Sequence, residues 1–121
     1  MRKEIIVLRD MLQARPYMLA KRESLRSLLL DLLSSDRPLV TKLLDTYDNG
    51  ILRNLLELPE RDSNLVNRIA IAFEQATGHD TQTSKAVAEI CLFCIDTDTV
   101  KAWKAYQEQQ RAVNALSLIH I

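Results

Sequence analysis

Two cysteines in the stretch Cys91-Leu92-Phe93-Cys94 have the C-x-x-C spacing of zinc and redox sites. A structural zinc ion usually needs four nitrogen or sulfur ligands, and the chain has no second C-x-x-C and no paired histidines. His79 is the only other candidate ligand in the body of the chain. A thioredoxin-like cysteine stands at a helix N-terminus after a strand, whereas these cysteines lie late in an apolar helical pattern. The spacing therefore predicts core packing rather than a metal or redox site.

Two further stretches carry groups that catalytic and metal sites use. Gly78-His79-Asp80 places a histidine beside a carboxylate, but no third member of a catalytic group can be recognised. Asp96-Thr97-Asp98 has the D-x-D spacing of magnesium sites, yet it stands where a helix must start, and aspartate is favoured there as a cap. The chain's two glycines, Gly50 and Gly78, are too far apart for a phosphate-binding loop. We therefore expect no catalytic, cofactor-binding or metal-binding residue, and no cofactor.

Composition narrows the class of protein. With 121 residues, 47% of them hydrophobic and 26% charged, the chain has the balance of one globular domain. Sixteen basic and sixteen acidic side chains cancel, so no overall field attracts nucleic acid. No stretch approaches the run of about 18 apolar residues that a membrane span needs, and Arg9 and Asp10 interrupt the N-terminal apolar run. We expect a cytoplasmic location without membrane contact, and two cysteines in an apolar helix fit a reducing compartment.

Two local groups of basic residues stand out from this balance. A DNA-binding helix-turn-helix would use the predicted fifth and sixth helices, but the turn from Gly78 to Ser84 is long for that motif. Asp80 and Glu89 also weaken the field there. We interpret the basic groups as solvated helix faces and do not expect nucleic acid as a partner. The groups are Arg15, Lys21, Arg22 and Arg26 around the predicted second helix, and Lys101 and Lys104 on either side of Trp103.

Apolar residues recur at spacings of three and four along most of the chain, whereas strict alternation is scarce. This periodicity predicts seven helices with a short apolar connector at 17–19, and connections of only a few residues favour antiparallel neighbours. We therefore expect an all-α fold, an irregular bundle of six or seven short helices in a single domain. The predicted inward positions are, helix by helix, Ile5, Leu8, Leu12; Leu25, Leu28, Leu29, Leu32; Leu39, Val40, Leu43, Leu44, Tyr47; Ile51, Leu52, Leu55, Leu56; Leu65, Ile69, Ala72, Phe73, Ala76; Val87, Ile90, Cys91, Cys94; and Val100, Trp103, Tyr106.

Residues that typically begin or end a helix separate these predicted helices. The first must end before Pro16, because a residue that precedes proline avoids the α region. Gly50 suits a left-handed position at the end of the third helix, and Gly78 ends the fifth. Beyond Tyr106 the pattern decays into QEQQRAVNA, and we expect a last helix that is frayed or cut short. The predicted starts are Ser34-Ser35-Asp36 for the third helix, with Pro38 in its first turn, Ser63 for the fifth, Thr81 or Thr83 for the sixth, and Asp96 or Asp98 for the last.

The stretch RSLLLDLLSSDRPLVTKLLDTYDNGILRNLLE, residues 26–57, resembles a bacterial leucine-rich helical accessory module. Its marks are Leu29-Leu30-Asp31-Leu32-Leu33 and Gly50-Ile51, and the similarity extends over residues 5–95. Two features depart from the module's pattern: Ser34 replaces a proline, and Ala86-Val87-Ala88-Glu89-Ile90-Cys91 lacks a tryptophan. Such modules occur beside zinc-ribbon, J-domain or chaperone-like regions. The resemblance implies a non-catalytic interaction module and transfers no functional residue.

The last six residues, LSLIHI, have a different origin in our interpretation. They are the translation of CTG TCT CTT ATA CAC ATC, which resembles the mosaic-end adaptor of transposon-based sequencing libraries. The alternative is a native apolar terminus that continues the last helix. We expect the adaptor origin, so that the helical domain spans residues 1–115 and is truncated at its C-terminus. Residues 116–121 are then a non-native tail, and His120 is not a candidate ligand.

These observations predict a non-catalytic protein-interaction or accessory module of a larger bacterial protein, with a protein as its partner. Two alternatives stay open: a small helical DNA-binding regulator, and an enzyme or metal site completed by a region beyond residue 115. An exposed apolar groove would favour the interaction module. Exposed Cys91 and Cys94 within metal reach of His79 would favour zinc, and a contiguous basic face on the fifth or sixth helix would favour DNA.

Overall fold

The part of the chain that the structure describes forms seven α-helices and one short 3₁₀ helix, with no strand. A computed structural model describes residues 1–119, with side chains through Leu116, so that His120 and Ile121 lie outside the described residues. The expected all-α bundle of six or seven helices is confirmed. The elements are α1 (Lys3–Ala14), the 3₁₀ helix (Pro16–Leu19), α2 (Arg22–Leu32), α3 (Arg37–Asp48), α4 (Ile51–Glu57), α5 (Leu65–Thr77), α6 (Thr81–Cys94) and α7 (Thr97–Ile119).

Helix α1 lies in the middle of the bundle. It packs against α2, α6, α7 and the 3₁₀ helix, so that both halves of the chain meet on it. Ile5, Leu8 and Leu12 point from α1 into the core at spacings of three and four, and each is at most 3% exposed. Helices α5 and α6 pack along each other as a hairpin. The buried apolar side chains of all these elements form one continuous cluster.

Aspartates begin several of the helices. Of the predicted capping residues Ser34-Ser35-Asp36, Asp36 is the one that accepts a hydrogen bond from the Leu39 amide, at 3.3 Å before α3. Helix α6 begins at Thr81, also as predicted, and the residue before it, Asp80, supplies the cap. The Asp80 carboxylate accepts a hydrogen bond from the Thr83 amide at 2.6 Å. Each carboxylate satisfies an amide that has no partner within its own helix, which stabilises the start of that helix.

The predicted cap of α5 is wrong. Asn64, rather than Ser63, occupies the position before the helix, and its side chain makes no capping hydrogen bond. The Asp62 carboxylate instead accepts a hydrogen bond from the Asn64 amide at 2.9 Å and pairs with Arg68 at 2.9 Å. A carboxylate placed two residues earlier therefore orders this turn, and it outcompetes the serine hydroxyl because its hydrogen bonds are charge-assisted.

Two helix faces also differ from the prediction. At the end of α2 the backbone leaves helical geometry at Leu33, which places that side chain in the core at 0% exposure and leaves Leu32 only half-buried. On α5, Ala72 and Ala76 are exposed while Ala70 is buried. Alanine buries too little apolar area to orient a helix, so the larger neighbours on α5 decide which face turns inward.

Helix α7 contradicts the expectation of a frayed last helix. It is 23 residues long and continues well beyond Tyr106, with every described side chain from Glu108 to Leu116 exposed. Glutamine, glutamate, arginine and alanine are good helix formers, so this stretch stays helical without an apolar face. Its last turn includes residues 116–119 of the predicted tail, whose origin stays a prediction. None of the helices within residues 1–119 has the length and apolar composition that a membrane crossing requires.

Replacing Leu33 with alanine tests the observed packing of α2. We expect Leu33→Ala to lower the free energy of unfolding by about 2–5 kcal/mol, because it removes a fully buried side chain and leaves a cavity. Leu32→Ala, the matched control, should cost roughly 1 kcal/mol because Leu32 is only half-buried. Urea unfolding followed by circular dichroism measures both losses. A larger loss for Leu32→Ala than for Leu33→Ala would show that Leu32 is the inward residue, as periodicity predicts.

Candidate functional site

The two cysteines of the C-x-x-C stretch lie in the core, as the packing interpretation predicts. Cys91 is 1% exposed and Cys94 is 4% exposed, and both are free thiols on α6. The Cys94 thiol donates to the carbonyl oxygen of Ile5 at 3.9 Å, which joins α6 to α1. Burial raises the pKa of Cys91 to about 12 and raises the pKa of Cys94 as well. A thiol held in its neutral form is a poor nucleophile and a poor metal ligand, so these side chains serve packing.

His79 is held by an aromatic contact at the turn between α5 and α6. Its ring stacks on Phe73, with the ring centroids 5.5 Å apart and the planes within 3° of parallel. The neighbouring Asp80 is occupied as the cap of α6. Within the described residues, no three or more His, Cys, Asp or Glu side chains are grouped so that they could hold a metal ion. The structure therefore does not bring His79 together with the two cysteines as a metal site would require.

Asp96 is the centre of a polar network that joins α1 to the junction of α6 and α7. Its carboxylate accepts hydrogen bonds from the Thr99 amide at 2.9 Å and the Thr99 hydroxyl at 3.0 Å. Gln13 on α1 donates to both carboxylate oxygens, at 2.9 and 3.1 Å. Burial opposes the charge of Asp96, but these hydrogen bonds outweigh it and lower the pKa of the carboxyl group. The predicted capping role of Asp96 is confirmed, and it also determines where α7 starts relative to α1.

A cleft of about 270 Å³ opens between α7, α4 and the 3₁₀ helix, and we call it the Trp103 cleft. Most of its wall residues belong to the apolar core or pack against it, while its charged rim residues are exposed. The cleft is thus an opening in the apolar interior rather than a polar surface groove. Its walls are Leu19, Tyr47, Leu52, Leu56 and Trp103, and its rim is Asp48, Gly50 and Arg53.

The turn between α3 and α4 shapes one side of the Trp103 cleft. Gly50 adopts a left-handed backbone with φ of +76°, a conformation that other residues rarely take. The Asp48 carboxylate accepts two hydrogen bonds from Arg22, at 2.8 and 3.1 Å. The Tyr47 hydroxyl donates to the carbonyl oxygen of Ala20 at 3.5 Å. Both contacts join this turn to the region around the start of α2, so the rim is positioned by distant parts of the chain.

Trp103 forms the opposite wall of the cleft. It is half-buried and packs against the core cluster, and its ring lies 5.7 Å from that of Tyr106 at an angle of 41°. Residues three apart share a face of a helix, so both rings line the same side of α7. The Asp96 network anchors the helix one to two turns earlier and so determines where Trp103 stands.

A second cleft, of about 400 Å³, lies between α7 and the segment that follows α4. Lys101 and Lys104 line it from α7, while Glu60 and Arg61 line it from the segment after α4. Arg61 is half-buried, donates to the Leu55 carbonyl oxygen at 3.5 Å, and has its pKa lowered by that burial. We call the two clefts together the α4–α7 seam. Its remaining lining residues are Leu58, Pro59, Thr97 and Val100.

Helices α5 and α6 do not present the basic face that DNA binding would need. Arg68 on α5 is neutralised by Asp62 at 2.9 Å. On α6, Lys85 lies one turn from Glu89, and Asp80 begins the helix. Within the described residues the charges of this hairpin alternate in sign, which is typical of a solvated surface.

Comparison with protein-family models, curated proteins and solved structures finds no match to this chain. The α4–α7 seam is therefore identified as a candidate site from the geometry of the structure alone. Sequence periodicity identified Leu52, Leu56 and Trp103 only as inward positions, and it could not show that they meet. Lys101 and Lys104 were recognised as flanking Trp103, and that local pattern was the one signal of the seam.

The two thiols provide a direct test of the core. We expect neither Cys91 nor Cys94 of the native protein to react with Ellman's reagent on the timescale of minutes, because both are buried and their pKa values are raised. In guanidinium chloride, both should react promptly with the same reagent. Rapid reaction of either thiol in the folded protein would contradict this packing and reopen the redox interpretation.

The Asp96 network should contribute stability that depends on pH. A carboxyl group whose pKa is lowered by folding stabilises the fold above its unfolded pKa of about 3.9, and this contribution is lost as the pH falls through the folded pKa. We expect Asp96→Ala to cost about 1–2 kcal/mol at neutral pH. The difference from the unsubstituted protein should shrink below about pH 4 as the carboxylate is protonated.

The matched control for this prediction is Asp98→Ala. Asp98 lies in the same first turn of α7 and is exposed, so its removal should change the stability by about 0.5 kcal/mol or less. Denaturant unfolding at a series of pH values measures both variants. Equal losses for the two variants, or a loss for Asp96→Ala that does not vary with pH, would show that the network does not stabilise the fold in this way.

Proposed function

We propose that this chain is a non-catalytic protein-interaction module whose contact surface is the α4–α7 seam. The observation that carries the proposal is the Trp103 cleft, an opening of about 270 Å³ with leucine, tyrosine and tryptophan walls. Tryptophan and tyrosine dominate the binding energy of many protein interfaces, because they bury a large area with few rotatable bonds. A partner would insert one apolar side chain between Trp103 and Leu52.

The open shape of the seam favours this use over a cofactor site. Pockets for cofactors and drug-sized ligands usually enclose most of the ligand, whereas both clefts of the seam, of about 270 and 400 Å³, are open to solvent. Its polar side chains also do not form the converging group that a catalytic or cofactor site needs. Asp48 is occupied by Arg22, so Arg53 is the one charged rim residue without a described ion-pair partner.

The proposal includes the finer expectations that follow from the sequence. The module would act as an accessory part of a larger bacterial protein in the cytoplasm, as the resemblance and the buried thiols support. A regulator that binds DNA is a weaker alternative, because the charges on α5 and α6 alternate in sign.

Selection from a random peptide library on the immobilised protein tests the proposal. We expect the selected peptides to share a large apolar residue and to change the fluorescence of Trp103, which is the chain's only tryptophan. The peptides contain no tryptophan, so all tryptophan emission comes from Trp103 within the seam. The protein therefore needs no substitution for this measurement. Selected peptides that bind without altering its emission would show that another face is the contact surface.

A pair of variants adds an independent measurement. Trp103→Ala should weaken the selected peptides by about 30-fold or more, as expected for a central aromatic anchor. Tyr17→Ala removes an exposed aromatic side chain outside the seam and should leave their affinity unchanged. Circular dichroism verifies that both variants fold. Equal affinity for Trp103→Ala and the unsubstituted protein would overturn the proposal.

A further inference from the structure

We propose that Asn49 is a site of spontaneous deamidation whose rate is set by local opening of the α3–α4 turn. Asn49 precedes Gly50, and it is the only one of the chain's five asparagines that is followed by glycine. Its side chain is exposed at the end of α3, between the rim residues Asp48 and Gly50 of the Trp103 cleft. The modification does not depend on the proposed function, because the reaction needs water and no partner.

The reaction uses the main chain as the nucleophile. The Gly50 amide nitrogen loses its proton to solvent and attacks the side-chain carbon Cγ of Asn49. The Cγ–Nδ2 bond then breaks, and Nδ2 takes up a proton and leaves as ammonia. Water opens the resulting cyclic imide at either carbonyl carbon, which gives aspartate or isoaspartate. Glycine favours the attack because it has no Cβ to crowd its nitrogen and permits more backbone conformations than other residues.

The folded turn holds the reacting groups of Asn49 and Gly50 apart. The ψ angle of Asn49 is 9°, so the Gly50 nitrogen is nearly eclipsed with the Asn49 nitrogen, whereas ring closure requires it to lie beside Cβ. The Asn49 side-chain amide donates to the carbonyl oxygen of Asp45 at 2.9 Å, and the Gly50 amide donates to the carbonyl oxygen of Tyr47 at 3.1 Å. The nucleophile and the leaving group are thus both occupied at the end of α3, and attack requires both hydrogen bonds to break.

A contact with α2 restrains this turn. Arg22 donates two hydrogen bonds to the Asp48 carboxylate, at 2.8 and 3.1 Å, and so joins the residue before Asn49 to the start of α2. Asp48 and Asn49 are exposed, and segments that bury few apolar contacts open at a lower cost than the whole fold. The turn can therefore open locally while the core stays folded, and the Arg22–Asp48 contact sets how often it does so.

Either product removes the hydrogen bond that ends α3. A carboxylate cannot donate to the Asp45 carbonyl oxygen, and it places a negative charge at the C-terminal end of the helix, where the helix dipole disfavours it. Isoaspartate also lengthens the main chain by one carbon atom. Helix α4 begins at Ile51, and Gly50 and Leu52 line the Trp103 cleft. Deamidation should therefore displace this wall of the cleft and change the surroundings of Trp103.

Ageing the full chain in mildly alkaline buffer tests the proposal. One sample is kept native and another is unfolded in guanidinium chloride; both are digested at mildly acidic pH and analysed by mass spectrometry after chromatography that separates aspartate from isoaspartate. We expect product at Asn49 in both, formed about ten- to a hundredfold more slowly in the native protein because only the opened turn reacts. The four other asparagines, each followed by leucine, arginine or alanine, are internal controls and should react more slowly than Asn49 in the unfolded chain.

A substitution on α2 separates the effect of the turn from that of the local sequence. Arg22→Gln removes the contact with Asp48 and should speed the native reaction by roughly two- to fivefold, as expected for the loss of an exposed ion pair. The unfolded chain should react at an unchanged rate, because residue 22 is remote from Asn49 in sequence. The matched control is Arg26→Gln, which removes an exposed arginine of the same helix that lies 4.0 Å from Glu23, and it should change neither rate. Circular dichroism verifies that both variants fold.

Each outcome decides one part of the proposal. Equal reactivity of Asn49 and the other asparagines in the unfolded chain would overturn the site. Equal rates at Asn49 in the native and unfolded chains would show that the turn gives no protection. A native rate more than about a thousandfold below the unfolded rate would show that only global unfolding admits the reaction, which would overturn local opening.

Two further outcomes concern the neighbours of the turn. Equal native rates for Arg22→Gln and Arg26→Gln would overturn the role of the contact with α2. The emission of Trp103 in the aged native protein should change in proportion to the product at Asn49, and unchanged emission after full conversion would overturn the effect on the cleft. None of these measurements uses a partner, so the library selection decides the proposed function separately.

Discussion

The carboxylate of Asp96 determines how the last helix meets the first. It receives hydrogen bonds from Thr99 in the next helix and from Gln13 in α1, so that one group sets both the start and the direction of α7. A partly buried charge with several donors is costly to rearrange, because any movement leaves a carboxylate or an amide without a partner. Everything that α7 contributes to the surface, including Trp103, is placed by this junction.

The Trp103 cleft leaves apolar side chains open at the surface, which promotes aggregation unless charged residues lie beside them. Asp48 and Arg53 stand at its rim, while Lys101 and Lys104 line the second cleft of the α4–α7 seam. The Arg22–Asp48 pair keeps the α3–α4 turn in place.

Helix number, most helix ends and most of the core follow from the sequence, because leucines at spacings of three and four leave little freedom. The errors fall where the local signal is weak. Leu32 and Leu33 are identical side chains at a helix end, and the backbone decides which one turns inward. Small residues such as Ala72 carry no strong preference, and a serine next to Asp62 cannot compete as a cap.

The seam could not be predicted from the sequence, for a different reason. Its walls come from residues about 50 positions apart, Leu52 on α4 and Trp103 on α7, and only the folded chain brings them together. Periodicity shows that each side chain is inward, but not which inward side chains remain partly open to solvent. The sequence shows Lys101 and Lys104 beside Trp103 as a local pattern, but it does not show that Arg61 lines the same cleft as these lysines.

The central position of α1 has a consequence for how the chain is made. Helix α1 leaves the ribosome before α6 and α7, against which it packs, and the partner of Gln13 is made 83 residues later. At roughly 5–20 residues per second, this delay is about 4 to 17 s. During that interval Ile5, Leu8 and Leu12 are only partly covered, so α1 is fully buried only after α6 and α7 have been made. A chain interrupted before α6 would leave part of this apolar face uncovered and would be a substrate for chaperones and proteases.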